Sequence, residues 1–170
     1  MKKILAVFAV ISVLIMGAAQ AQGFNEWVAV GDEGEDPFVE SREIQFANIK
    51  DSYFSGLFLS CREGKSILLV KAISPFNFAD MPKSYPYKMS FAVDGDILFK
   101  DREALLSSNP YGKVASYTVL DGDEAQNVAQ KFSEAQKSVA VRDGIGAGTE
   151  IHSARGASSA GRKLLKCLLK

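Results

Sequence analysis

The sequence contains one histidine, two cysteines and one tryptophan in 170 residues. With a single histidine, any Ser-His-Asp or Cys-His arrangement would have to use His152. That residue falls in a short β-branched stretch between Glu150 and Arg155, and no serine stands in a Gly-x-Ser-x-Gly elbow. The default reading of His152 is therefore a strand-edge or surface histidine. One histidine and two cysteines also fall short of a structural zinc set. Charge of one sign is missing too, since 20 basic residues balance 20 acidic ones. This excludes the basic footprint that nucleic acid requires and gives no strong pull toward anionic membranes. Beyond residue 21 there is no apolar run long enough to span a bilayer.

The apolar run that does exist lies at the start. Lys2 and Lys3 precede Ile4 to Met16, a stretch broken only by Ser12, and Ala19-Gln20-Ala21 supplies small residues at a cleavage site. This is the pattern of an export signal over residues 1–21, with the exported chain beginning at Gln22. The alternative, an uncleaved anchor, has about 16 apolar residues where a span needs roughly 20. No cysteine ends the apolar core, which excludes a bacterial lipoprotein anchor. Loss of the leader removes two lysines and no acid, leaving 18 basic and 20 acidic residues, a net charge of −2. The remaining 149 residues fit one domain, 22–170, in the periplasm or outside the cell. In that oxidising compartment Cys61 and Cys167 are expected to pair, the alternative being two buried thiols. They lie 106 positions apart. In the chain-entropy model a loop of that size stabilises by at most about 4.7 kcal/mol.

Periodicity gives the order of elements. Trp27–Val30 reads as a short strand, Gly31–Pro37 as an acidic turn and Glu43–Phe46 as a second strand. Gly56–Cys61 and Ser66–Ile73 are strands joined by Arg62-Glu63-Gly64-Lys65, with the glycine placed for a hairpin. The second of these is apolar on both faces, which predicts a central strand covered on both sides. Lys88–Val93 and Ile97–Phe99 flank Asp94-Gly95, a type I′ hairpin signal. Asn109–Gly112 is a turn, and Val114–Leu120 a further strand. A helix follows Asp121-Gly122-Asp123, capped by one of these aspartates, with Ala125, Val128, Ala129 and Phe132 on one face. Ser138–Val141 and Thr149–Ala154 are strands around a glycine-rich loop. A final helix, capped by Ser158 or Ser159, buries Ala160, Leu164, Cys167 and Leu168. The expected fold is α+β: an antiparallel β sheet or sandwich with two packed helices, the C-terminal one tied down by the disulfide.

Each candidate for chemistry has a plainer alternative. Asp32, Glu33, Glu35 and Asp36 cluster in one turn, and Asp94-x-Asp96 and Asp121-x-Asp123 pair carboxylates around glycine. Such oxygens can hold Ca²⁺, but none continues into a 12-residue calcium loop. Asp-Gly is also ordinary turn chemistry, so no metal site is expected. Gly144-x-Gly146-x-Gly148 is followed by Thr149-Glu150-Ile151 where a phosphate loop needs a helix; a hairpin turn is preferred and no cofactor is expected. Arg142, Arg155 and Arg162 could form an anion site or lie solvated on the surface. Glycosidase-type carboxylate pairs are not selected by any pattern. The segment Ser74–Pro86 carries Pro75, Pro82 and Pro86 with Phe76, Phe78, Tyr85 and Tyr87 in and around it. These rings either complete the core beneath a long loop or form an interaction surface.

One combination of residues resembles a known group. Trp27, then Leu57, Leu59, Cys61, Arg62 and Gly64, then Asp94-Gly95, Val139, Val141, Gly156 and Cys167 resemble the small periplasmic proteins of the TagO/VasI-like type VI secretion-associated group. Ala92 stands where that group usually has an arginine, and its further tryptophan is missing. A second similarity, through Gly156 to Ala160, is to invasion-associated locus B-like periplasmic proteins, without their extra cysteines. Both resemblances imply a non-enzymatic exported accessory domain of mostly β architecture. The export signal, near-neutral charge and lack of a reactive cluster point the same way, to an interaction or accessory protein with a protein partner in the envelope. Neither implies catalytic residues. The alternatives are a small envelope hydrolase using carboxylates, and a binder of a small ligand or cell-wall fragment through the aromatic segment.

Overall fold

A computed structural model describes residues 25–30, 43–50, 55–82, 84–146 and 148–170. Residues 1–21, which read as an export signal, and the acidic cluster Asp32–Asp36 lie outside the described residues. The described residues form ten strands and two α-helices in an α+β arrangement. The strands make two wholly antiparallel sheets. The larger contains β1 (Trp27–Ala29), β2 (Glu43–Ile49), β3 (Gly56–Arg62), β4 (Ile67–Asn77), β7 (Leu105–Ser108) and β8 (Lys113–Asp121), in the order β1-β2-β3-β4-β8-β7. The smaller contains β5 (Lys88–Val93), β6 (Asp96–Glu103), β9 (Ser138–Arg142) and β10 (Glu150–Ser153), in the order β10-β9-β5-β6. Helices α1 (Gly122–Ser133) and α2 (Ala157–Leu168) pack on each other and on the larger sheet.

Alternation along the strands builds a main core and, on the outer face of the larger sheet, a smaller cluster of Ala47, Phe58, Ile73 and Ala115. Leu57, Leu59 and Cys61 of β3 and Leu68, Val70 and Ala72 of β4 face inward from the larger sheet. Met89, Phe91, Val93, Val139 and Val141 face them from the smaller sheet, and the apolar faces of both helices fill the space between. Gly161 sits where the helices meet: a Cβ there would lie 2.5 Å from Ser133 Cα. The Cys61–Cys167 disulfide, with Cα atoms 6.2 Å apart, ties α2 to β3 in the middle of this core.

Several details differ from the sequence reading. β4 is central, yet only its inner face is fully covered; Ile67 is exposed and Leu69 half-buried on the other. β4 also runs on to Asn77, through what reads as loop. Its register against β8 shifts between Ile73 and Asn77, and this irregularity accommodates Pro75, which has no N–H to give a ladder. Strand β7 has no counterpart in the sequence reading. The first turn of α2 is not capped by Ser158 or Ser159, which lie inside the helix. The cap position is Gly156 in the left-handed region, φ 84°. It passes so close to Trp27 that a Cβ would meet its carbonyl oxygen at 2.6 Å. Asp121 does occupy the α1 cap position, but its side chain makes no capping bond. Asp123 and Glu124 in the first turn still suit the helix dipole.

The two sheets share a chain segment at one side and close on each other at the other. β6 runs through Ala104 directly into β7, so residues 96–108 form the last strand of both sheets. On the opposite side Trp27 N–H donates to Arg155 O at 2.9 Å and Trp27 Nε1 donates to Ser153 O at 2.9 Å. Ser153 N–H donates to Asn25 Oδ1 at 2.9 Å. The start of β1 and the end of β10 are thus tied together.

Candidate functional site

Of the four aromatic side chains singled out in the sequence, the structure buries one and exposes three. Tyr87 is 8% exposed and its hydroxyl donates to Pro82 O at 3.0 Å. Phe76, Phe78 and Tyr85 are 48%, 37% and 59% exposed. Phe76 stands apart, on the side of Gly146, where a Cβ would lie 3.8 Å from its ring. Phe78, Tyr85 and Tyr87 converge with Met81, Pro86 and Leu106 on a cleft of about 320 Å³, near the lower end for ligand pockets. Tyr85 packs edge-to-face on Tyr87 with ring centroids 5.1 Å apart.

The walls of this cleft are held from several directions. Phe78 N–H donates to Gly112 O at 2.9 Å, joining the segment to the turn before β8. Asn77 bridges Asp80, to which its Nδ2 donates, and Lys113, whose Nζ donates to its Oδ1. Asn109 Oδ1 accepts from the N–H groups of Tyr111 and Lys113, and Gly112 takes φ 72°, so that turn is itself fixed. The opposite wall is Glu103 to Leu106, the junction of β6 and β7. Sequence reasoning missed this wall, because Leu105-Leu106-Ser107-Ser108 has neither alternation nor length to announce a strand. Among the described residues the lining carries one carboxylate, Glu103, and no lysine or arginine.

The other candidates are structural. His152 does lie on an edge strand, β10, but it is not on the surface: it is fully buried, because β10 turns its inner face onto β1 and β2. Its Nδ1 lies 3.2 Å from Asn48 Oδ1, and Asn48 Nδ2 donates to Ser153 O at 3.4 Å. Glu150 Oε2 lies 3.6 Å from His152 Nε2, beyond hydrogen-bond range. Burial pushes the imidazole pKa below its ordinary value, and the Glu150 carboxylate only partly opposes this. Enclosed in this way, His152 joins β2 to β10.

Asp94 has φ 52° at its hairpin, and its carboxylate accepts N–H groups from Gln136, Lys137 and Ser138, latching that hairpin to the start of β9. Those donors, Ser138 first, hold its pKa below the ordinary value. Asp143 Oδ1 likewise accepts from Ile145 and Gly146 within the hairpin joining β9 to β10. The three arginines are engaged separately: Arg142 with Thr149, Arg155 with Glu26 and Arg162 with Ser158. Among the described residues no three His, Cys, Asp or Glu side chains group to hold a metal ion, and no helix is long and apolar enough to cross a membrane. No protein-family model, curated protein or solved structure matches this chain.

Proposed function

We propose that this is an exported, non-enzymatic accessory protein of the periplasm that docks a protein partner through the cleft of Phe78, Tyr85, Tyr87 and Leu106. The observation that carries the reading is the cleft itself. Tyr85 and Phe78 are exposed, yet the segment bearing them is braced at Asn77, Phe78 and Tyr87. Large aromatic side chains held rigid in solvent lose little entropy on binding and supply much of the energy at interfaces. The leader-like N-terminus and the disulfide agree with an oxidising envelope compartment. The TagO/VasI-like resemblance makes a type VI secretion apparatus the first place to look for the partner. Hydrolysis by two carboxylates is less well supported, since among the described residues the cleft lining offers only Glu103.

The test is crosslinking of tagged protein in its native envelope, with and without Tyr85→Ala, followed by mass spectrometry. A partner captured reproducibly by the natural chain and lost with Tyr85→Ala supports the proposal. Capture indifferent to Tyr85, or turnover of an envelope substrate without any partner, overturns it.

A further inference from the structure

Among the described residues four strand edges end the two sheets. Those of β1 and β10 are tied to each other at Trp27, Asn25, Ser153 and Arg155. The edge of β6 carries Asp96, Lys100 and Asp101, with a register shift against β5 and φ 51° at Asp101. Charge and irregularity of this kind prevent strand addition. The edge of β7 reads Leu105-Leu106-Ser107-Ser108, with no charge, no proline and no bulge.

The direction of its peptide groups follows from its two ends. Ala104 N–H donates to Tyr87 O, away from β8, while Asn109 N–H donates to Lys113 O, on the β8 side. Peptide groups alternate sides along an extended strand. Leu105 and Ser107 therefore face β8 with Asn109, and Leu106 and Ser108 face outward with Ala104. Among the described residues no main-chain group meets Leu106 or Ser108 on that outward side. The aromatic cleft opens along that same side, next to Tyr87 and Pro86.

We infer that the cleft receives an extended peptide segment of the partner, which adds as a seventh strand to β7. Its main chain bonds Leu106 and Ser108, and one or two of its apolar side chains enter between Tyr85, Phe78 and Met81. This inference rests on the reading of the cleft as a docking site and specifies the occupant. Amide and carbonyl groups without a main-chain partner among the described residues select a backbone, and the aromatic lining, whose one described charge is the Glu103 carboxylate, selects apolar side chains rather than an anionic ligand.

The probe is a displayed library of ten-residue peptides selected on the purified protein. A selected peptide is then measured against Ser108→Pro, Ser108→Ala and Tyr85→Ala, and as an analogue N-methylated at alternate residues. Proline at position 108 removes only the outward-facing N–H, so the β8 ladder survives. The expected result is binding weakened about tenfold or more by Ser108→Pro, the scale of one or two lost main-chain hydrogen bonds. Ser108→Ala should bind as the natural chain does, and one N-methyl register should abolish binding. If Ser108→Pro fails to fold, the N-methylated analogue still decides the matter. Binding that needs Tyr85 but ignores both Ser108→Pro and N-methylation overturns strand addition and leaves the docking site standing. No selected peptide, or a concentration-dependent dimer lost with Ser108→Pro, also overturns the inference. The docking site itself then stands or falls on envelope capture with Tyr85→Ala.

Discussion

Replacing both bridge cysteines, Cys61→Ala with Cys167→Ala, removes the one covalent link between the sheet and the C-terminal helix. Both residues are 1% exposed, and the link closes 106 residues of sequence. The unfolded chain gains freedom that the chain-entropy model sets at about 4.7 kcal/mol, and losses measured for native bridges run from roughly 2 to 5 kcal/mol. A chain of this size loses about 2–4 °C of Tm per kcal/mol, so a fall of about 10 °C is expected. The fold itself should persist, because α2 still buries Ala157, Ala160, Leu164 and Leu168 against the core. The assay is thermal unfolding followed by circular dichroism, with near-ultraviolet spectra to confirm native packing. A Tm within 2 °C of the natural protein, on the scale of under about 1 kcal/mol, refutes the reasoning. So does alkylation of two thiols in the natural protein without reductant.

Gly156→Ala forces a Cβ against Trp27 O in left-handed backbone; a loss of roughly 1–3 kcal/mol is expected, read as a lower urea midpoint. A loss under about 0.5 kcal/mol would show that the chain entry to α2 is adaptable. His152 gives a pH dependence. Its pKa in the folded chain lies below the unfolded value of about 6.5, so the unfolded state binds the proton more readily. The stabilising contribution is therefore full above the unfolded pKa and is lost as pH falls through the folded one. Urea midpoints should fall from pH 7 to pH 5 by more in the natural chain than in His152→Gln; parallel profiles would remove His152 as the cause.

Legibility followed how local the determining physics was. Asp94-Gly95 could be read because type I′ geometry is written in two adjacent residues, and the φ values of 52° and 96° agree. The apolar faces of α1 and α2 were visible because the 3.6-residue period repeats within each helix. Pairing of the cysteines followed from their even number in a chain whose start reads as an export signal. What failed to show was set by distant partners. β7 exists because it pairs with β8, and nothing in Leu-Leu-Ser-Ser by itself favours a strand. The burial of His152 depends on Asn48 and Trp27, more than 100 positions away. The cap of α2 is a glycine because Trp27 passes there, which local capping preferences do not register.

The cleft belongs to the second class, and its stiffness follows from the topology. Its far wall is a single extended segment shared by both sheets. Lys88 pairs with Glu103 on one side, and Tyr117 pairs with Leu105 on the other. Any slip of β7 along β8 would have to move β6 along β5 as well. That would turn Phe99 away from Phe91, with which it stacks at 5.7 Å in the core. The register of the open edge is thus fixed by packing on the smaller sheet, although its hydrogen bonds belong to the larger one. The near wall is fixed separately, through Asn77 and Phe78 to the turn before β8. The proposed partner strand would meet groups already in place, so ordering costs would fall mainly on the partner. The same coupling sets the order of failure. A change that loosens the smaller sheet should weaken docking at β7 before it unfolds the protein.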